Sequence, residues 1–109
     1  MKQLKFSENW NCKLQCAYFT TIRKHSEDFI VNDEIMCHMT KQVRVEFKTV
    51  IIEKTVSKFL DIPRSLVCCD TGYSYEDSIH LFEKFYGKDL YTIDLDTLLL
   101  KKTSKFYVK

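Results

Sequence analysis

The sequence predicts a small α+β domain, a mixed β-barrel of about six strands with two main helices. Three observations carry that expectation. Short β-branched and aromatic runs recur along the chain, one segment has the caps and the apolar stripe of an amphipathic helix, and no repeat or low-complexity linker divides the sequence. With 109 residues, 45% of them hydrophobic and 14% aromatic, there is apolar material for one core, so residues 1–109 are expected to form a single domain.

Residues 3–6 read as a first strand, and Ser7 is a suitable cap for a helix over 8–16 in which Trp10, Leu14 and Ala17 share a stripe. Residues 18–23 are β-branched and aromatic, hence a strand, and 24–28 form a polar loop. Asn32 tolerates the left-handed conformation, so Asn32 and Asp33 make a turn into a strand over 34–39. Val43, Val45 and Phe47 alternate with Arg44, Glu46 and Lys48 as in a half-buried strand. The alternation fails over 49–52, which predicts a bulge or burial on both faces, with pairing as far as Leu60.

Pro63 ends that stretch, and 64–68 read as a short helical turn. The strongest helix follows: Ser74 caps it, Glu76 and Asp77 lie in its first turn, and Gly87 stops it. Tyr75, Ile79, Phe82 and Tyr86 share its buried stripe, with Phe85 beside them, while His80 and Lys84 face water. Tyr91, Ile93 and Leu95 alternate with polar residues as a further strand, and Phe106 and Val108 belong to a last one.

Net charge is only +2, but it is segregated. Residues 1–24 hold five basic side chains against Glu8, residues 97–109 hold four lysines and no acid, and the stretch between is net acidic. Termini lying side by side would make one face basic and attractive to phosphate; otherwise the lysines only keep a small protein in solution. The longest apolar runs, 50–52 and 98–100, fall far short of the about 20 residues that cross a bilayer. No apolar signal core follows the first five residues. No signal peptide or membrane span is therefore expected. Five cysteines, an odd count without a secreted disulfide spacing, read as reduced thiols in the cytoplasm. No Cys-x-x-Cys pair occurs, and Cys37 and His38 point to opposite faces of a strand, so neither metal nor cofactor is expected; Cys16 and Cys37 read as small core residues.

Four pieces in order resemble one family. They are residues 16–23, ending Phe19-Thr20-Thr21-Ile22-Arg23; Val31-Asn32-Asp33; Thr71-Gly72-Tyr73-Ser74; and Phe85-Tyr86-Gly87. Together they resemble the ASCH domain, a group built on the PUA-like β-barrel, over nearly the whole chain. The resemblance implies an association with RNA or nucleotides. In the branch that hydrolyses acetylcytidine it implies a lysine three residues before a threonine nucleophile and a glutamate before the glycine turn. Thr21 matches the threonine, but the other two positions are Tyr18 and Thr71, with Asp70 one residue earlier. A threonine hydroxyl needs an adjacent base, so the hydrolase activity is expected to be lost.

Lys5, Tyr18, Thr20, Thr21, Arg23, Lys24 and Tyr73 are the candidate nucleic-acid contacts: Arg23 as a fork for phosphate or a base edge, the lysines as charge, the threonines as hydroxyls, the tyrosines as stacking rings. Alternatively, the aromatics are core and Arg23 pairs with Asp33 or another carboxylate. Three functions remain open: binding of RNA or a modified nucleoside, hydrolysis of an acetylcytidine-type nucleoside or of RNA through Thr21 and Asp70, and a protein-interaction adaptor. No membrane partner is expected, and the oligomeric state is not legible.

Overall fold

Period-two alternation builds the sheet against which the rest of the chain packs. A computed structural model describes residues 2–39 and 44–104 and the backbone of residues 107 and 108. Strand β1 (Lys2–Phe6) buries Leu4 and Phe6 and exposes Gln3 and Lys5. Strands β2 (Tyr18–Lys24) and β3 (Glu34–Met39) lie where the sequence puts them, and Asn32 has φ 78°, the left-handed turn expected of it. Strand β4 (Val45–Ser57) alternates cleanly through Phe47 and Thr49, then shifts register between Ile51 and Glu53. That is the bulge which the broken alternation predicts. Val43 and Phe106 lie outside the described residues.

The sheet order is β1-β3-β4-β5-β2, where β5 is Leu95–Lys102; the short β6 (Tyr107–Val108) pairs with the start of β4. Among the described residues only β1 and β3 run parallel. The result is a mixed α+β fold whose five-strand path curves into a half-barrel. Its two ends, β1 and β2, are not paired with each other. The rings of Phe6 and Phe19 meet across that seam at 6.1 Å, so side chains hold together what the ladder leaves open.

Each face of the sheet carries a core. Phe19, Leu98 and Leu100 join Phe6, Ile35, Phe47 and Ile51 on one side. Ile22 and Leu95, three residues from Phe19 and Leu98 and so of opposite parity, meet Phe59, Val67, Phe82 and Leu90 on the other. Because both its faces are covered, β5 reads as a continuous leucine run. Each fully buried Leu, Ile or Phe contributes about 1.5–3 kcal/mol. Helix α2 (Tyr75–Tyr86) covers the second core; Ser74 caps it by accepting the Asp77 N–H at 3.2 Å, and Gly87 ends it at φ 60°.

Several elements differ from expectation. The helix over 8–16 is instead a 3₁₀ segment, Trp10–Gln15, broken by left-handed Asn11 and Cys12, both at φ 54°. Tertiary partners override helix propensity there: Asn11 Nδ2 donates to the Cys69 carbonyl at 2.9 Å, the Asn9 side chain accepts the Leu14 N–H, and Lys13 is drawn inward. The turn over 64–68 is a full helix, α1 (Arg64–Thr71), ended by left-handed Gly72. The strand expected at Tyr91 is a 3₁₀ turn, Gly87–Tyr91, because the Asp89 carbonyl accepts the N–H groups of Thr92 and Ile93. Pairing of β4 stops at Ser57, and Leu60 is exposed. Phe85 leaves the buried stripe. Cys16 is exposed, whereas burial pushes the Cys37 thiol up to about 11; all five cysteines are unpaired. Among the described residues no helix is long and apolar enough to cross a membrane.

The loop after β2 is tied down by one buried carboxylate. Asp96 accepts from the Ser26 N–H at 2.9 Å, meets His25 Nδ1 at 2.7 Å and lies 3.8 Å from Lys54 Nζ. His25 Nε2 reaches Glu27 at 2.9 Å. The hydrogen bond to Asp96, then that to Glu27, raises the His25 pKa above its ordinary 6.5. A raised folded-state pKa adds stability that is complete below the unfolded value and lost as pH rises through the folded one. The urea midpoint should therefore fall as pH rises above about 6.5, and His25→Asn should flatten that slope.

Candidate functional site

Along the seam between β1 and β2, β2 keeps one backbone edge outside the ladder. The His25 N–H donates to the Asp94 carbonyl and the Lys102 N–H to the Ala17 carbonyl, which fixes the parity of the ladder. Odd-numbered residues of β2 bond to β5, leaving the main chain of Thr20, Ile22 and Lys24 on the free edge. A cavity of about 450 Å³ lies along this edge. It is bounded by the end of β1, the 3₁₀ segment at Trp10 and Lys13, Thr21 to Arg23 of β2, the end of α1 and the outer half of α2.

Its floor is charged. The left-handed turn at Asn11 and Cys12 swings Lys13 inward until the residue is only 6% exposed, with Nζ 2.9 Å from Asp70 Oδ1 and 5.6 Å from the centre of the Phe6 ring. Burial lowers the pKa of the ammonium, and Asp70 opposes the shift. The hydroxyl of Thr20 donates to the same oxygen at 2.9 Å. Arg23 lies over the other cation site of Phe6, its guanidinium 4.5 Å from the ring centre, and its Nε donates to Thr21 Oγ1 at 3.0 Å. Burial lowers its pKa as well, yet a guanidinium stays charged. Among the described residues no carboxylate pairs with Arg23, so its terminal amino groups are held in place without a protein acceptor. Three cations, Lys5, Lys13 and Arg23, face one carboxylate, Asp70.

The walls are aromatic. Phe6, Trp10, Phe82, Phe85 and Tyr86 line the cavity, with Trp10 edge-on to Phe85 at 6.5 Å. Burial pushes the Tyr86 phenol up, against the backbone amide of Lys24 beside it. Such a site offers cationic donors, one carboxylate and flat apolar surface within a volume that suits a small ligand.

Of the residues expected from sequence, Lys5, Thr21, Arg23 and Asp70 come together here. Thr20 reaches the site only through Asp70. Tyr18 does not enter it: the ring is 53% exposed on the opposite face, with Lys101 Nζ 5.9 Å from its centre. Lys24 is exposed outside the cavity, and Tyr73 stands beyond its rim against Trp10. Thr71 lines the cavity, but its hydroxyl is used by the Val67 carbonyl, Ser78 and the Tyr73 N–H. The residues that sequence reasoning missed are Lys13, Phe6, Trp10, Phe85 and Tyr86. A signal for Lys13 existed, since it interrupts the stripe of Trp10, Leu14 and Ala17 at helical spacing.

Among the described residues no group of three His, Cys, Asp or Glu side chains is placed to hold a metal ion. Fold and site together define a small α+β domain with a cationic, aromatic-walled pocket at the open seam of its sheet. No protein-family model, curated protein or solved structure matches the chain.

The floor makes one prediction about stability. Lys13→Met strands a buried carboxylate and should cost about 3–5 kcal/mol in urea unfolding, whereas Lys13→Met with Asp70→Leu should recover most of that loss. Equal losses in the single and double variants would mean that the pair is not what holds the 3₁₀ segment.

Proposed function

We propose that this chain is an RNA- or nucleotide-binding module of the ASCH type on a PUA-like barrel. The observation that carries the reading is Arg23. A guanidinium seated on Phe6, oriented by Thr21 and lacking a carboxylate partner among the described residues is a preorganised fork for phosphate or a base edge. Aromatic walls supply faces for a base, and the excess of cations over carboxylates favours an anionic ligand. The half-open sheet and the four sequence pieces support the same assignment.

Trp10, the one tryptophan of the chain, lines the cavity and serves as its reporter. Titration with nucleoside monophosphates and short single-stranded RNA should change its fluorescence. Affinity should fall as salt rises from about 50 mM to about 200 mM. Arg23→Ala should weaken binding about tenfold or more, the loss of a charged hydrogen-bonded fork. No response at low salt, or an unchanged affinity in the variant, rejects the reading.

A second reading, hydrolysis of an acetylcytidine-type nucleoside or of RNA, is favoured by Lys13. Although Tyr18 stands where the hydrolases carry lysine, the 3₁₀ segment brings a different amine of lowered pKa into the pocket that holds Thr21 and Asp70. Thr21 Oγ1 accepts from Arg23, so its own proton remains available to a base. Release of acetate from acetylcytidine, or cleavage of RNA, that disappears in Thr21→Val would establish this reading. Absence of turnover, or turnover that the variant keeps, removes it.

A further inference from the structure

Outside the cavity, the aromatic wall continues. Trp10 touches Phe85 on its pocket side and Tyr73 beyond the rim, with ring centres 6.5 and 6.1 Å away, and both outer rings are about half exposed. Neither is on a loose loop. Phe85 belongs to α2, and Tyr73 sits in the tight connection between α1 and α2, where left-handed Gly72 precedes it, its N–H donates to Thr71 Oγ1 at 3.1 Å, and capping Ser74 follows it. Rings fixed in this way stack a flat partner at little cost in conformational entropy.

Three cations gather at the pocket end of this platform. Lys5, Lys13 and Arg23 are at the pocket, whereas Glu76 and Asp77 follow Tyr73 in the first turn of α2. A phosphate is therefore favoured at the pocket end, while the exposed ring of Tyr73 offers a neighbouring base a face to stack on.

We propose that the site takes a single-stranded dinucleotide step: one nucleotide in the cavity with its phosphate on Arg23, and the adjacent base stacked on the exterior aromatic platform at Tyr73. The inference rests on the nucleotide-binding reading and adds the strandedness and footprint of the ligand. A duplex cannot present an unstacked neighbouring base, and a mononucleotide leaves the platform empty.

Trp10 fluorescence tests it with adenosine 5′-monophosphate, the dinucleotide pApA, hexaadenylate and a ten-base-pair RNA duplex. The dinucleotide should bind about tenfold tighter than the monophosphate, the gain of one stacked base, and the hexamer should add only the statistical factor of its extra registers. Tyr73→Ala should erase the dinucleotide gain while leaving the monophosphate affinity unchanged, and Tyr73→Phe should restore the gain. Equal affinities for monophosphate and dinucleotide, equal weakening of both in Tyr73→Ala, or duplex binding as tight as the dinucleotide's would overturn the proposal while leaving the pocket reading intact. Monophosphate binding that is absent, or indifferent to Arg23→Ala, would overturn both. Circular dichroism melts of the Tyr73 variants separate a lost platform from a lost fold.

Discussion

A single buried ion pair, Lys13 with Asp70, joins two elements that local sequence would not bring together. Removing both charges from water costs several kcal/mol per ion before their attraction is counted, and the pair survives because it is short and further hydrogen-bonded. Thr20 donates to the same carboxylate oxygen, so β2, α1 and the 3₁₀ segment converge on one atom. Without that convergence the 3₁₀ segment would have little reason to hold two non-glycine residues in the left-handed region. With it, the segment becomes the outer wall of the seam.

Phe6 is the second element on which the seam depends. One side of its ring meets Phe19 and thereby ties β1 to β2, while the guanidinium of Arg23 and the ammonium of Lys13 both lie over the ring. Each cation held over an aromatic face gains roughly 0.5–2 kcal/mol. Core packing and site electrostatics thus share one side chain. The same ring that closes the half-barrel also positions the charges in its opening.

What the sequence made legible was local. β-Branched and aromatic composition placed β2, the turn at Asn32 placed β3, alternation placed β4 and its failure at 49–52 marked the bulge, and Ser74 and Gly87 marked the ends of α2. Position along β2 also mattered: the cavity takes Thr21, Ile22 and Arg23 from the middle of the strand and leaves Tyr18 and Lys24, at its two ends, outside. The 3₁₀ segment and the start of β5 were not legible. Lys13 meets Asp70 across 57 positions, and buried Asp96 is satisfied by His25 and Ser26 about 70 positions away, partners that no window of sequence contains. Trp10 and Phe85 read as core stripes for the same reason, since only the seam gives them an exposed side.

The costs concentrated at this seam bear on function. Cys12 in the left-handed region costs about 1 kcal/mol or more, Lys13 and Asp70 are desolvated, and Arg23 is partly buried with terminal amino groups unused by the described residues. Elsewhere among the described residues the sole non-glycine with positive φ is Asn32, in an ordinary turn. Hydrophobic side chains of similar volume would fill the seam at equal or lower free energy. A fold needing only stability would gain nothing from desolvating Lys13 and Arg23 beside an open cavity. The seam is therefore where the fold concentrates its backbone strain and its desolvated charge.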